Sequence, residues 1–189
     1  MPKFLWHKEE KDAIYITFDD GPHPEATIFA LDQLQRYEAK ATFFCIGNNV
    51  RIHKSIYDQI LAQGHTIGNH TNNHINGWKN TIKNYVIDVH KAKQVIDTPL
   101  FRPPYGRIRP LQAKQLIQQG YTIVMWSLLS GDFDTNITPE ECWENVRKNV
   151  KPGDIIVFHD STKAYPRMKY ALVELLKFAQ AKRWRCLSL

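Results

Sequence analysis

Three cysteines, Cys45, Cys142 and Cys186, are too few and too scattered for a disulfide framework. No two of them form a CxxC pair, which argues against a zinc-finger site as well. Cys45 lies in an apolar run and Cys186 beside one, so both read as small core residues, with a reactive thiol as the lesser alternative. No apolar run approaches the roughly 18 residues that span a bilayer. From Met1 to Lys11 the only apolar patch is Phe4, Leu5 and Trp6, so no signal-peptide core is expected there. Linkers, low-complexity stretches and internal repeats are missing, and 1–189 is expected to be one domain. No block of Lys or Arg exceeds two consecutive residues. The 25 Lys and Arg against 19 Asp and Glu leave +6, read here as scattered, solvated basic charge. Attraction to a polyanion, nucleic acid or an anionic wall polymer, is the sharper alternative. With 43% hydrophobic and 23% charged residues, disorder of the whole chain is excluded.

What the chain does have is alternation. Strand patterns stand at 13–18, 41–46, 65–68, 99–101, 121–126, 154–158 and 184–188, several of them apolar almost throughout, as in strands buried on both faces. Helical spacing lies between them. Ile28, Leu31, Leu34 and Tyr37 predict a helix over 24–37. Ile52, Ile56 and Ile60 recur every four residues before Gly64, and Ile82, Tyr85, Val89, Ala92 and Ile96 form a stripe. A shorter helix from Leu111 to Gln119 stops at Gly120, and Thr138-Pro139-Glu140-Glu141 is a capping box with Pro at the first helical position. Met168, Leu172, Leu175, Leu176 and Ala179 line a last helix. Repeated βα units predict a parallel sheet, open or closed into a barrel, with functional residues at the C-terminal strand ends.

The chemistry-bearing residues fall there. Strand 13–18 runs into Asp19-Asp20-Gly21-Pro22, two adjacent carboxylates that need a compensating positive group. The plain alternative is a turn that caps the next helix. After 65–68 come His70 and His74, four apart. On a helical turn they would face one side and, with a carboxylate, make a two-nitrogen, one-oxygen metal set. Phe101-Arg102-Pro103-Pro104-Tyr105-Gly106 is held extended by its prolines and would present Arg102 at the rim, able to fork onto a carboxylate. Strand 154–158 ends in His159, and an acid partner such as Asp132 would raise its pKa. His7, His53, His65 and His90 read as structural histidines; His23 stays open because it lies beside the Asp pair.

Taken together, Thr17 to Pro22, His70 to His74, Arg102 to Tyr105, Trp126 to Asp132 and the strand ending in His159 resemble the five ordered motifs of the polysaccharide deacetylases (the NodB homology domain, carbohydrate esterase family four). The resemblance runs from about residue 13 to the C-terminus. It implies a distorted parallel (β/α) barrel of about seven strands and removal of N-acetyl groups from sugars, with one divalent metal, foremost Zn2+, Co2+ and Ni2+ being alternatives. It further implies Asp20, His70 and His74 as metal ligands and Asp19 as general base, oriented by Arg102. The Tyr105 N–H resembles an oxyanion donor, and His159 a general acid tuned by Asp132. The implied partner is a carbohydrate polymer or oligomer, peptidoglycan or chitin-like. The family usually works on extracytoplasmic polymers.

Phe133 stands where many members carry Trp, and Val157 where many carry Leu, which alters the groove wall without removing a catalytic group. Trp78, Tyr105, Phe133 and Tyr165 are candidate sugar-stacking aromatics, with ordinary packing an equal alternative for Trp78 and Tyr165. Two further readings remain: a hydrolase of other carbon–nitrogen bonds such as cyclic amides, and a carbohydrate-binding module without catalysis. The complete set of acids, histidines and Arg102 argues against the second. A nucleic-acid binder lacks a recognisable motif.

Overall fold

The computed structural model describes residues 4–189; Met1 to Lys3, part of the segment read above for a signal-peptide core, lie outside the described residues. Its frame is a run of parallel strands: β1 (Phe4–Leu5), β2 (Ala13–Asp19), β3 (Ala41–Cys45), β4 (Thr66–Asn69), β5 (Leu100–Phe101), β6 (Thr122–Val124), β7 (Leu128–Leu129) and β8 (Ile155–His159). Their spatial order is β1-β6-β5-β4-β3-β2-β8-β7, and a ninth strand, β9 (Arg185–Cys186), pairs with β2. A single His7–Asp154 bridge and the Lys8 N–H to Gly153 bond at 2.9 Å link the chain after β1 to the start of β8. The architecture is therefore a distorted parallel (β/α) barrel. The nine strands among the described residues exceed the expected seven because β1 and β7 are two residues long, too short to show a period.

The central strand shows why the site forms where it does. Every residue of β2 is buried. Side chains alternate across a strand: Ile14, Ile16 and Phe18 join the core under the outer helices, while Tyr15 joins the barrel interior. Thr17 and Asp19 share Tyr15's face. The same alternation on β8 sends Ile156 and Phe158 outward and Ile155 inward, with Val157 and His159 on the inner side. Register then sets Asp19 opposite both Phe44 and His159. At the opposite end, Leu187 and Leu189 close the interior against Tyr15 and Phe44.

The helices are α1 (Ala26–Arg36), α2 (Gly47–Ile52), α3 (Lys54–Ala62), α4 (Ile82–Lys93), α5 (Pro110–Gln118), α6 (Pro139–Asn149) and α7 (Tyr165–Lys182). The capping box at Thr138 is made in full: its hydroxyl accepts the Glu141 N–H at 3.1 Å and Glu141 accepts the Thr138 N–H at 2.8 Å. One expected stripe is corrected. His53 breaks the segment into α2 and α3, which rotates Ile52 out to 71% exposure while Ile56 and Ile60 stay buried. Cys45 and Cys142 are buried thiols and Cys186 is half-buried, so all three pack as small residues. No helix among the described residues is long and apolar enough to cross a membrane.

Candidate metal centre and active-site cleft

A cleft of ≈ 460 Å³ opens at the C-terminal end of the strands, lined by Asp19, Asp20, His70, His74, Tyr105 and His159 among others. Asp19 and Asp20 leave β2 together. Asp20 adopts φ 87°, and the chain turns at Gly21, where the buried Asp160 carboxylate accepts the Gly21 N–H at 2.9 Å. A Cβ on Gly21 would stand 2.0 Å from Asp160 Oδ2, so only glycine lets this turn close. Asp160 also accepts the Thr27 hydroxyl at 2.5 Å. Burial and the nearby Asp20 charge push its pKa up to about 8 against the pull of those hydrogen bonds.

His70 and His74 reach the cleft differently from the expected helical turn. The segment after β4 is a loop, with Thr71 and His74 both at positive φ, and that backbone swings the two imidazoles to a centroid separation of 5.1 Å. Asp88 of α4 holds the loop by accepting the Asn72 and Asn73 N–H groups, each at 2.9 Å. Asp88 lies three residues after Tyr85, on the apolar side of its helix. A carboxylate placed there is the signal that sequence reasoning passed over.

Asp20, His70 and His74 each offer a ligand atom, all within 4.8 Å of one another. Asp20 Oδ1 lies 3.1 Å from His74 Nε2 and 3.8 Å from His70 Nε2, yet it is buried without a hydrogen-bond partner. A buried, unpartnered carboxylate oxygen facing two imidazole nitrogens is what a metal site requires. His70 Nδ1 lies 2.8 Å from the Arg102 carbonyl oxygen; a carbonyl can only accept, so the proton is on Nδ1 and the Nε2 lone pair faces Asp20. Burial drives the His70 pKa down to about 4, keeping the ring neutral as a ligand must be. For Asp20, burial works against ionisation, but the contact with His74 and the fields of His70 and His159 prevail and bring it to about 2. The three residues can hold one metal ion.

Arg102 is not at the rim. It is fully buried inside the barrel, beneath the carboxylates, its guanidinium 4.1 Å from the Phe44 ring centre. Nor does it fork onto one carboxylate: Nη1 donates to Asp19 Oδ1 and to Thr17 Oγ1, each at 2.7 Å, while Nη2 donates to the Met125 carbonyl at 2.9 Å. Thr17 on the inner face of β2 thereby becomes part of the support. Across the cleft, His159 Nδ1 stands 2.7 Å from Asp132 Oδ1, and Asp132 Oδ2 accepts the His159 N–H at 2.6 Å. Burial lowers the His159 pKa; the Asp132 charge and hydrogen bond, with Asp19 and Asp20, outweigh it and carry the value to about 9. Arg167 of α7 locks the arrangement by donating to the Asp132 carbonyl at 2.7 Å.

Tyr105 has φ 61°, and its N–H has no hydrogen-bond acceptor among the described residues. Its ring lies 4.6 Å from that of His74. Phe133 stands edge-on to His159 at 5.5 Å, and both Phe133 and Val157 line the cleft. Trp78 and Tyr165 do not line it; Tyr165 packs on Phe29. His23 is settled as structural: its Nδ1 accepts the Ala26 N–H at 3.1 Å at the start of α1 and its Nε2 meets Thr162 at 2.9 Å. Leu129, Ser161 and Lys163 also line the cleft and were not anticipated.

Fold and site together define a parallel β/α-barrel protein with a carboxylate–histidine cluster able to hold a metal ion. The profile of the polysaccharide deacetylase family matches residues 7–124, and the chain belongs to that family. It is 38% identical over 178 residues to a peptidoglycan-N-acetylglucosamine deacetylase of Bacillus cereus, covering 91% of this chain and 84% of that one. It is 32% identical over 159 residues to a chitooligosaccharide deacetylase of Azorhizobium caulinodans, covering 80% and 75%. Among solved structures, a peptidoglycan N-acetylglucosamine deacetylase bound to 4-naphthalen-1-yl-N-oxidanyl-benzamide superposes with TM-score 0.89 at 30% identity, over 98% of this chain and 90% of that one.

Proposed function

We propose that this protein is a metal-dependent N-deacetylase acting as a single catalytic domain on N-acetylglucosamine-containing poly- or oligosaccharides, releasing acetate. The observation that carries the reading is the meeting of Asp19, Asp20, His70, His74 and His159 in one cleft of a chain that belongs to the deacetylase family. Asp20, His70 and His74 would hold one divalent ion, Zn2+ in this reading. When bound, it supplies a Lewis acid that polarises the amide carbonyl and acidifies a water molecule.

The remaining work falls to side chains already oriented. Asp19 takes a proton from the attacking water, and Arg102 keeps its carboxylate aimed. The Tyr105 N–H donates to the carbonyl oxygen as it gains negative charge. His159, charged through Asp132, passes a proton to the amine nitrogen as the carbon–nitrogen bond breaks. Acetate and a free amino sugar result.

The test is acetate release from N-acetylglucosamine oligomers and from peptidoglycan, before and after chelation and zinc add-back. Metal-dependent acetate from either is the expected outcome. None from zinc-loaded protein would overturn the reading and return weight to a non-sugar amide hydrolase or a carbohydrate-binding protein.

A further inference from the structure

The basic charge is not scattered. Between residues 71 and 119, leaving aside Arg102, which is buried against Asp19, seven Lys and Arg stand against two carboxylates, Asp88 and Asp97, so this stretch holds +5 of the protein's +6. It folds as α4, β5, α5 and the loops before them, one flank of the barrel. Asp88 is buried and occupied with loop N–H groups, which leaves less negative charge on that surface. In the loop before α4 stands Trp78, 57% exposed.

Trp78 is held firmly for an exposed residue. Its N–H donates to Asn76 Oδ1 at 2.9 Å, its indole N–H to the Ile108 carbonyl at 3.4 Å, and its own carbonyl accepts from Arg109 at 2.5 Å. The Arg107 guanidinium lies 5.1 Å from its ring centre. The two loops are pressed together: the Gly77 N–H donates to the Arg107 carbonyl at 3.1 Å, and a Cβ on Gly77 would come within 2.4 Å of that oxygen. Lys79, Arg107 and Arg109 have no carboxylate within ion-pair distance among the described residues.

This platform is tethered close to the cleft lining by short lengths of chain. Arg107 is two residues beyond Tyr105, hence within about 7 Å of it along the chain, and Trp78 is four residues beyond His74, within about 14 Å. An ordered aromatic face with Arg107 against it and Lys79 next to it in the chain, neither with a carboxylate partner among the described residues, suits a sugar that carries a carboxylate. We propose that Trp78, Lys79 and Arg107 form a distal subsite for an anionic glycan strand, which selects carboxylate-bearing polymers over neutral oligomers. The proposal rests on the deacetylase reading and specifies its substrate class.

The experiment compares soluble peptidoglycan strands with their carboxylates free or amidated, together with neutral N-acetylglucosamine oligomers. The wild type is expected to show about tenfold higher kcat/KM on the free-carboxylate strands than on the amidated ones, through KM. About 0.5 M salt should erase the difference. Lys79→Glu combined with Arg107→Glu should erase it too, while the rate on short neutral oligomers stays within about twofold. Trp78→Ala should raise KM on both strands and spare the short oligomers. Equal wild-type rates on free and amidated strands, or equal losses on every substrate in the charge variant, would overturn the subsite. If no substrate releases acetate, the deacetylase reading fails on its own, and binding of the two strands still decides the subsite: equal affinity refutes it. Tighter binding of duplex DNA than of either strand, lost in the same variant, would replace the glycan with nucleic acid.

Discussion

Arg102 Nη1 donates to Asp19 Oδ1 at 2.7 Å, with the guanidinium closed to solvent and the carboxylate nearly so. Such a pair is held by geometry: the guanidinium has further acceptors in Thr17 and Met125, and Asp19 keeps Oδ2 turned toward the cleft, 4.0 Å from His70 Nε2. Asp19→Asn is expected to abolish acetate release while the metal remains bound, because the atoms proposed to hold it belong to Asp20, His70 and His74. Metal content and turnover, measured on one preparation, check this. Full activity in the Asn variant would remove Asp19 from the role of base. Arg102→Ala, which strands a buried carboxylate, should cost about 3–5 kcal/mol of stability, read from denaturant unfolding.

His74→Ala should lose the metal and the activity together yet keep the fold. His74 is half-buried on a loop, and the buried clamps on that loop are Asn69, Thr71 and Asp88. Zinc affinity by competition with a chelator and the melting temperature separate the two effects. Unaltered zinc affinity would overturn the ligand set.

His159 makes the chain pH-sensitive on the alkaline side. Its folded pKa is about 9 against an ordinary 6.5, so the Asp132 contact stabilises the fold fully below about 6.5 and is lost as pH rises through about 9. Activity that needs the protonated ring should fall over the upper part of the same window. Asp132→Asn should shift that alkaline limb downward. A pH–kcat profile of both proteins tests it, and an unmoved limb would detach Asp132 from the tuning of His159.

Gly21→Ala should be among the most damaging small substitutions in the chain. Its methyl group would meet Asp160 Oδ2 at 2.0 Å, and the turn that must yield carries Asp19 and Asp20. We expect a loss of at least about 1–3 kcal/mol, with a fall in metal affinity alongside it. The melting temperature and metal titration of the variant give the answer.

Much of this was open to a reader of the chain. Apolar strands and capped, periodic helices name themselves, because a buried face must repeat with the geometry of its element. The ends of β2, β4 and β8 placed Asp19, Asp20, His70, His74 and His159 on one side before any coordinates, since parallel strands share a direction. β1 and β7 stayed hidden because two residues carry no period. Arg102 was expected at the surface because its motif looks like an exposed proline loop, and nothing local reveals that β2 and β3 offer a carboxylate, a hydroxyl and an aromatic face inside the barrel.

The same division runs through the site. Residue types, strand ends and their order are properties of the chain, and they determined the barrel and the set of acids and histidines. Whether two histidines four apart converge through a helix or through positive-φ loop backbone was decided by Asp88, which is distant in space from neither but separate in sequence from both. Only tertiary structure settles such questions, because distance in space, burial and the fields they produce arise from contacts between residues that the sequence holds far apart.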